Sequence, residues 1–195
     1  MDRKAYRLLK ELPILKNNQR YIIGVDGLSR SGKTSFVTQL EQCLYKVPVI
    51  TFHLDDYIVE KKNRYYTEYD EWYEYYYLQW DVETLRMQLF EKLKSEDDLH
   101  LPAYHADLDT LICQSVKIPE SCYIIIEGVF LQRREWKGFY DYLVYIDCPR
   151  DKRFNRETAA TRKNMQKFIN RYWKAEDHYL QSINPIQHAD MIIQG

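Results

Sequence analysis

Gly27, Gly32, Lys33 and Thr34 stand at the spacing G-x-x-x-x-G-K-[ST]. Residues of those types at that spacing can cradle phosphate groups. Gly27 lets the chain leave a strand sharply, and Gly32 lets the backbone come close to phosphate oxygens. Successive N–H groups then point into one anion-binding nest. Lys33 reaches β- and γ-phosphates, the Thr34 hydroxyl is placed for Mg²⁺, and the helix that follows adds its positive N-terminal end. The flanks agree with this reading. Tyr21-Ile22-Ile23-Gly24-Val25 is a short apolar run suited to a buried parallel strand, and Phe36, Val37, Leu40 and Leu44 recur at helical spacing.

The elements that must position this loop follow from periodicity. An amphipathic helix is predicted over residues 3–17, with Ala5, Leu8, Leu9 and Leu12 on one side and Pro13 ending it or marking its last turn. Further strands are predicted at 49–54, 123–126, 142–146 and 190–193. Residues 57–66 read as a loop, 67–78 as a helix opened by Thr67 and Asp70, and 99–119 as extended pieces that could pair as a hairpin. Asp81 is suited to cap a helix carrying Val82, Leu85, Leu89 and Leu93. A basic helical stretch spans 150–163, and a last helix over 164–182 turns Met165, Phe168, Ile169, Tyr172 and Leu180 inward. Apolar strands alternating with helices imply a parallel α/β sheet. The expectation is one domain over residues 1–195, with a three-layer phosphate-loop fold, helices on both sheet faces, a basic lid at about 150–163 and a substrate-side insertion at about 57–80.

Open parallel sheets bind ligands at the carboxyl ends of their strands. Those ends carry Asp26-Gly27, Asp55-Asp56, Glu127-Gly128 and Asp147. Phosphoryl transfer needs acids there to hold the metal and to take a proton from the attacking hydroxyl. Asp55 is the candidate base, with Glu127 beside the metal; Asp56 fits a cap or an arginine partner equally well. Cations must face the phosphates from the far side. Arg150, Lys152, Arg153, Arg156, Arg162 and Lys163 suit a closing lid, and Arg153 and Arg156 would share a helix face. A charge run of this kind is also what a solvated helix face looks like.

These residues resemble the uridine kinase-like group of phosphate-loop kinases, which includes nicotinamide riboside kinase. The similarity runs from about Tyr21 to the C-terminus, with gaps in the middle. Residues 26–34 resemble the family's phosphate loop, His53-Leu54-Asp55-Asp56-Tyr57 its second-strand motif, Ile126-Glu127-Gly128 its metal-side strand, and Ala189-Asp190-Met191-Ile192-Ile193 its terminal strand. The resemblance implies ATP and Mg²⁺ as cofactors. It assigns nucleotide contacts to Gly27, Ser29, Arg30, Ser31, Gly32, Lys33, Thr34, Ser35 and Arg162, and metal contacts to Thr34, Asp55 and Glu127. Lys33, Asp55, Arg153 and Arg156 would be catalytic. On the substrate side, Leu78-Gln79-Trp80-Asp81-Val82-Glu83 is similar to a nicotinamide riboside kinase segment, which carries over as Trp80 stacking on a base and Asp81 holding ribose hydroxyls. Leu101-Pro102-Ala103-Tyr104-His105 resembles the uridine kinase segment whose tyrosine lines the base pocket, and Tyr57 completes the substrate set with Asp55. The Asn-Phe-Asp-His-Pro-type sequence of uridine kinases is missing, so the chain mixes both branches.

Tyr65, Tyr66, Tyr69, Trp72, Tyr73, Tyr75, Tyr76, Tyr77 and Trp80 crowd one segment. Such a stripe can stack on a flat base, but at helical spacing it is more often core or subunit interface; Trp80 and Tyr104 are the two separated from that reading. His53, just inside its strand, could serve the site, although a histidine so placed is more often a satisfied core residue. The net charge of −1 implies no general attraction to nucleic acid or membranes. The charged start, Met1-Asp2-Arg3-Lys4, suits no signal peptide, and no apolar run is long enough for a bilayer. Cys43, Cys113, Cys122 and Cys148 lack metal spacing and read as reduced and mostly buried in a cytoplasmic protein. The expected activity is transfer of the ATP γ-phosphoryl group to the 5′-hydroxyl of a ribonucleoside, with a homo-oligomer compatible with the aromatic surface. The competing expectation is a nucleotide switch or ATPase acting through a partner protein.

Overall fold

The structure is a computed structural model that describes residues 3–195; the charged dipeptide Met1-Asp2 lies outside the described residues. The apolar runs form β1 (Arg20–Asp26), β2 (Val49–His53), β5 (Cys122–Gly128), β6 (Tyr142–Asp147) and β7 (Met191–Gln194). The segment at 99–119 forms a separate antiparallel hairpin, β3 (Asp98–His105) and β4 (Thr110–Lys117). The five-stranded sheet has the order β2-β5-β1-β6-β7, and every pair in it is parallel. β5 is buried at every position, as a strand covered on both faces must be.

The helices are α1 (Arg3–Leu9), α2 (Lys33–Cys43), α3 (Lys61–Arg64), α4 (Glu71–Tyr77), α5 (Val82–Gln88), α6 (Arg150–Asn155), α7 (Ala159–Arg162), α8 (Met165–Lys167), α9 (Lys174–Ile183) and α10 (Pro185–His188). They cover both sheet faces. On one, Ala5, Leu8, Phe36, Val37 and Leu40 pack on Ile23, Val25, Ile125 and Val144. On the other, Leu85, Leu89, Phe90 and Tyr179 pack with Ile22, Ile124, Ile126 and Phe130. The three-layer expectation is met, and among the described residues no helix is long and apolar enough to cross a membrane.

Local differences have local causes. α1 stops at Leu9 because the ring of Pro13 would collide with the carbonyl four residues back. The helix expected from residue 67 begins only at Glu71. Thr67 is not its cap: its N–H and hydroxyl both donate to Glu74 Oε1, at 2.8 and 2.9 Å. Residues 57–66 are not all loop, since Leu54–Tyr57 forms a 3₁₀ turn and α3 follows. The basic stretch breaks into α6 and α7.

The last helical run, from α8 to α9, passes through a π-helical segment, Phe168–Trp173. Wider turns shift the buried face around the axis. Met165 and Ile169, expected inside, are exposed, while Arg171 and Glu176 are buried. Of the cysteines, Cys122 and Cys148 are buried, Cys43 is half-buried and Cys113 is exposed; all four are free thiols.

Candidate active site

Strand register brings the acid-bearing ends together. Asp26 pairs with Gly128, and His53 with Glu127, so β1, β5 and β2 end side by side. A cavity of about 760 Å³ opens there, lined by the phosphate-loop group Ser29, Arg30, Gly32, Lys33, Thr34 and Ser35, by a second group that includes Asp55, Ile58, Tyr75, Gln79, Phe168 and Tyr172, and by Glu127, Arg153, Arg156, Glu157 and Glu176 among others.

The loop between β1 and α2 has the backbone that its sequence requires. Gly27 has φ 151° and Gly32 φ 104°, and Arg30 between them is also left-handed at φ 60°. A Cβ on Gly27 would stand 2.7 Å from the Ile146 carbonyl, so no side chain fits that turn. Asp26 is fully buried and ties the loop's start: its Oδ1 accepts from the Gly27 N–H at 2.8 Å and its Oδ2 from Gln132 Nε2 at 3.0 Å and from the Tyr179 hydroxyl at 2.5 Å. Burial raises its carboxyl above the ordinary range, against those hydrogen bonds.

Lys33 is buried, with Nζ donating to the Leu28 carbonyl at 3.1 Å. Burial lowers its ammonium pKa, while Glu127 and Asp55 pull the other way. A cation so poorly solvated is held ready for an anion. The Ser31 hydroxyl, buried in the same loop, has no hydrogen-bond partner among the described residues. A left-handed backbone nest, a desolvated lysine and an orphan hydroxyl together fit a nucleotide's phosphates.

Glu127 Oε1 accepts from the Thr34 hydroxyl at 3.0 Å and lies 2.8 Å from His53 Nδ1. Burial alone would raise the Glu127 pKa, but His53, Lys33 and Thr34 outweigh it and hold the carboxyl below its ordinary value. His53 is raised, chiefly by that hydrogen bond; it is a site-side residue with a half-exposed ring rather than a core histidine. Asp55 is exposed and opens onto the cavity, flanked by protein. Partial burial, followed by Glu127 and Asp56, raises its carboxyl, and Lys33 opposes them. Among the described residues no three His, Cys, Asp or Glu side chains form a metal cage. One hydroxyl and two carboxylates suit Mg²⁺, which takes few protein ligands and completes its shell with phosphates and water.

The lid arginines separate. Arg153 is buried and gives both terminal nitrogens to Glu176, at 2.8 and 2.9 Å, with further bonds to the carbonyls of Cys148 and Ser29. Its charge is already matched. Arg156 is exposed and donates to the Arg30 carbonyl at 2.8 Å, and the Arg30 guanidinium pairs with Glu157 at 3.0 Å. Arg162 is exposed at the end of α7 and does not wall the cavity, although Thr161 does.

Four substrate residues expected from sequence stand apart from the cavity lining. Trp80 is 2% exposed, donates its indole N–H to the Leu54 carbonyl at 2.8 Å, and meets Phe130 and Trp136 edge to face. Both faces of its ring belong to the core. Asp81 is exposed and caps α5, accepting from Thr84 N–H at 3.0 Å and the Thr84 hydroxyl at 2.8 Å. Tyr57 is buried beside Phe52, its phenol pushed up to about 12 by burial. Tyr104 lies on the hairpin, with its hydroxyl on Asp109 at 2.8 Å and Arg64 over its ring. None of these four walls the cavity.

Tyr75, Gln79 and Tyr172 do, and sequence reasoning passed over them. Tyr75 was hidden in the aromatic stripe; its hydroxyl lies 3.0 Å from Ser29 Oγ of the phosphate loop. The available signal was Gln79, a lone polar amide four after Tyr75 in an otherwise aromatic and apolar run.

Comparisons with known proteins agree with this geometry. Residues 22–195 match the model of the Phosphoribulokinase / Uridine kinase family. The uridine kinase of Borrelia duttonii (strain Ly) is 26% identical over 187 residues, covering 88% of this chain and 85% of its own. That of Cronobacter sakazakii (strain ATCC BAA-894) is 27% identical over 197 residues, covering 91% and 88%. The solved structure of a possible uridine kinase from Bacillus stearothermophilus superposes with a TM-score of 0.86, at 48% identity and with 97% of each chain covered. The chain therefore belongs to the Phosphoribulokinase / Uridine kinase family and is an ATP-dependent phosphotransferase that acts on an alcohol group.

Proposed function

We propose that the acceptor is a ribonucleoside and that its 5′-hydroxyl receives the γ-phosphoryl group of ATP. The observation that carries this reading is the convergence of Lys33, Asp55 and the Thr34–Glu127 pair on one cavity whose lining includes Tyr75 and Tyr172. The uridine kinases among the relatives support the nucleoside.

Lys33 and the N–H groups of the phosphate loop bind the β- and γ-phosphates. Thr34, Glu127 and Asp55 would hold Mg²⁺, which neutralises charge on the phosphate oxygens when bound. Asp55 takes the proton of the acceptor hydroxyl; the hydroxyl oxygen bonds to the γ-phosphorus, and the bond to the β-phosphate oxygen breaks to release ADP. A carboxylate at the cavity's edge beside the phosphate loop is placed to accept that proton. Arg156 follows the charge at the phosphates from the lid, while Arg153, matched by Glu176, positions the loop through the Ser29 carbonyl. Tyr75 and Tyr172 offer the base an aromatic wall. We place the protein in the cytoplasm, acting on free small molecules.

An ADP-release screen over nucleosides, pantothenate and sugars tests the assignment. Strict dependence on a nucleoside supports it. Dependence on another alcohol reassigns the acceptor, and equal ADP release with no acceptor favours a nucleotide switch.

A further inference from the structure

We propose that the Gln79 carboxamide is the specificity-determining subsite for the acceptor, reading an uncharged group that offers both a hydrogen-bond donor and an acceptor. This rests on the phosphotransferase reading of the same cavity and adds to it the chemistry by which one acceptor is chosen over another.

Gln79 walls the cavity together with Asp55, Ile58 and Tyr75. It is 8% exposed, and its Oε1 has no hydrogen-bond partner among the described residues. Its backbone, by contrast, is fixed: the Gln79 carbonyl accepts from the Val59 N–H at 3.0 Å. Upstream, α4 is anchored by Glu74, which takes Arg171 at 2.7 Å and Thr67. Downstream, Trp80 is locked into the core through Leu54. The side chain is thus held at the cavity wall by neighbours on both sides, with its own polar atom left unmatched. The unmatched Oε1 is shielded from solvent as placed, so a ligand in the cavity would meet it once the amide turns about its last bond.

The group it would meet is neutral. Gln79 brings no charge, and a half-turn of the amide exchanges its acceptor and donor ends. Two parts of a nucleoside present that chemistry: a ribose hydroxyl, and the imide edge of a pyrimidine base. The aromatic residues beside Gln79 are compatible with either. Losing the matching group on the ligand leaves the amide unpaired in a desolvated wall, which is how a site rejects an analogue most strongly.

The test compares kcat/KM for uridine, 2′-deoxyuridine, 3′-deoxyuridine and 3-methyluridine in the wild type, in Gln79→Met, which keeps the length and removes both polar ends, and in Gln79→Glu, which keeps the acceptor and removes the donor. The wild type is expected to reject at least one analogue on the order of 10- to 100-fold. Gln79→Met should collapse that ratio toward one while lowering kcat/KM for uridine by a similar factor. Rejection of a deoxy analogue identifies the sugar hydroxyl as the group read; rejection of 3-methyluridine identifies the base edge. If Gln79→Met fails to fold, the ratios in Gln79→Glu decide instead, and melting temperatures separate folding from recognition. Ratios unchanged in the variants, or a wild type that discriminates among none of the analogues, overturn the proposal. If the wild type phosphorylates no nucleoside, the nucleoside assignment falls alone. The same ratio is then measured for the alcohol that the ADP-release screen returns and for its deoxy or O-methyl analogues, and unchanged discrimination again overturns the role of Gln79.

Discussion

The two walls of the cavity are built by different means. On the phosphate-loop wall, position comes from the backbone: two glycines and Arg30 at positive φ, a helix N-terminus, and Asp26 gripping the loop's first N–H. On the aromatic wall, position comes from side chains that arrive from distant parts of the chain. Glu74 meets Arg171 across 97 residues. A backbone device leaves its mark in a short sequence motif, because only certain residue types permit the geometry. A side-chain device leaves no local mark. The first wall can serve any nucleotide reaction, and on the proposed reading the second chooses the acceptor.

Substitutions should break the walls differently. The largest effect belongs to Lys33→Ala, which should abolish measurable transfer, since the buried ammonium serves the phosphates. Its melting temperature should hold, because Lys33 donates only to the Leu28 carbonyl. Turnover near the wild-type rate would remove the loop from the mechanism.

Asp55→Asn comes next, with kcat lower by roughly 10²–10⁴. A base must be unprotonated to act, and the Asp55 pKa is raised by burial. The rate of the wild type should therefore fall as pH drops through a value above that of an ordinary aspartate, and the variant should lack that limb. If Asp56→Asn is the damaging change and Asp55→Asn is nearly silent, the base is its neighbour.

On the aromatic wall the first effect is on stability. Arg171→Met leaves Glu74 buried with only Thr67 to match it and should cost about 3–5 kcal/mol in denaturant unfolding. A change below about 1 kcal/mol would mean the pair is solvated in solution.

The smallest effect is expected from Asp81→Ala, a loss of about 1 kcal/mol from removing the cap of α5. Acceptor KM should stay put. A rise in KM without loss of stability would return Asp81 to the substrate site.

The contrast between the walls also explains what could be read from sequence. The strands and their parallel direction, the phosphate loop and the convergence of Asp55 with Glu127 all follow from apolar runs and strand-end acids. The substrate side was less legible. After α4 ends, Gln79 turns toward the cavity and Trp80 toward Phe130 and Trp136. Which of two neighbours faces inward depends on the packing of the whole layer, and the larger aromatic wins the core. The π-helical segment hides in the same way: Arg171 and Glu176 are buried through partners that periodicity cannot supply.

Phosphorus NMR of the protein with ATP, Mg²⁺ and uridine tests the central claim most directly. The account predicts a new phosphomonoester resonance coupled to the 5′-methylene protons, growing as the γ-phosphate signal disappears and ADP accumulates in equal amount. ADP with inorganic phosphate alone, at a rate indifferent to uridine and to every other alcohol offered, would contradict it.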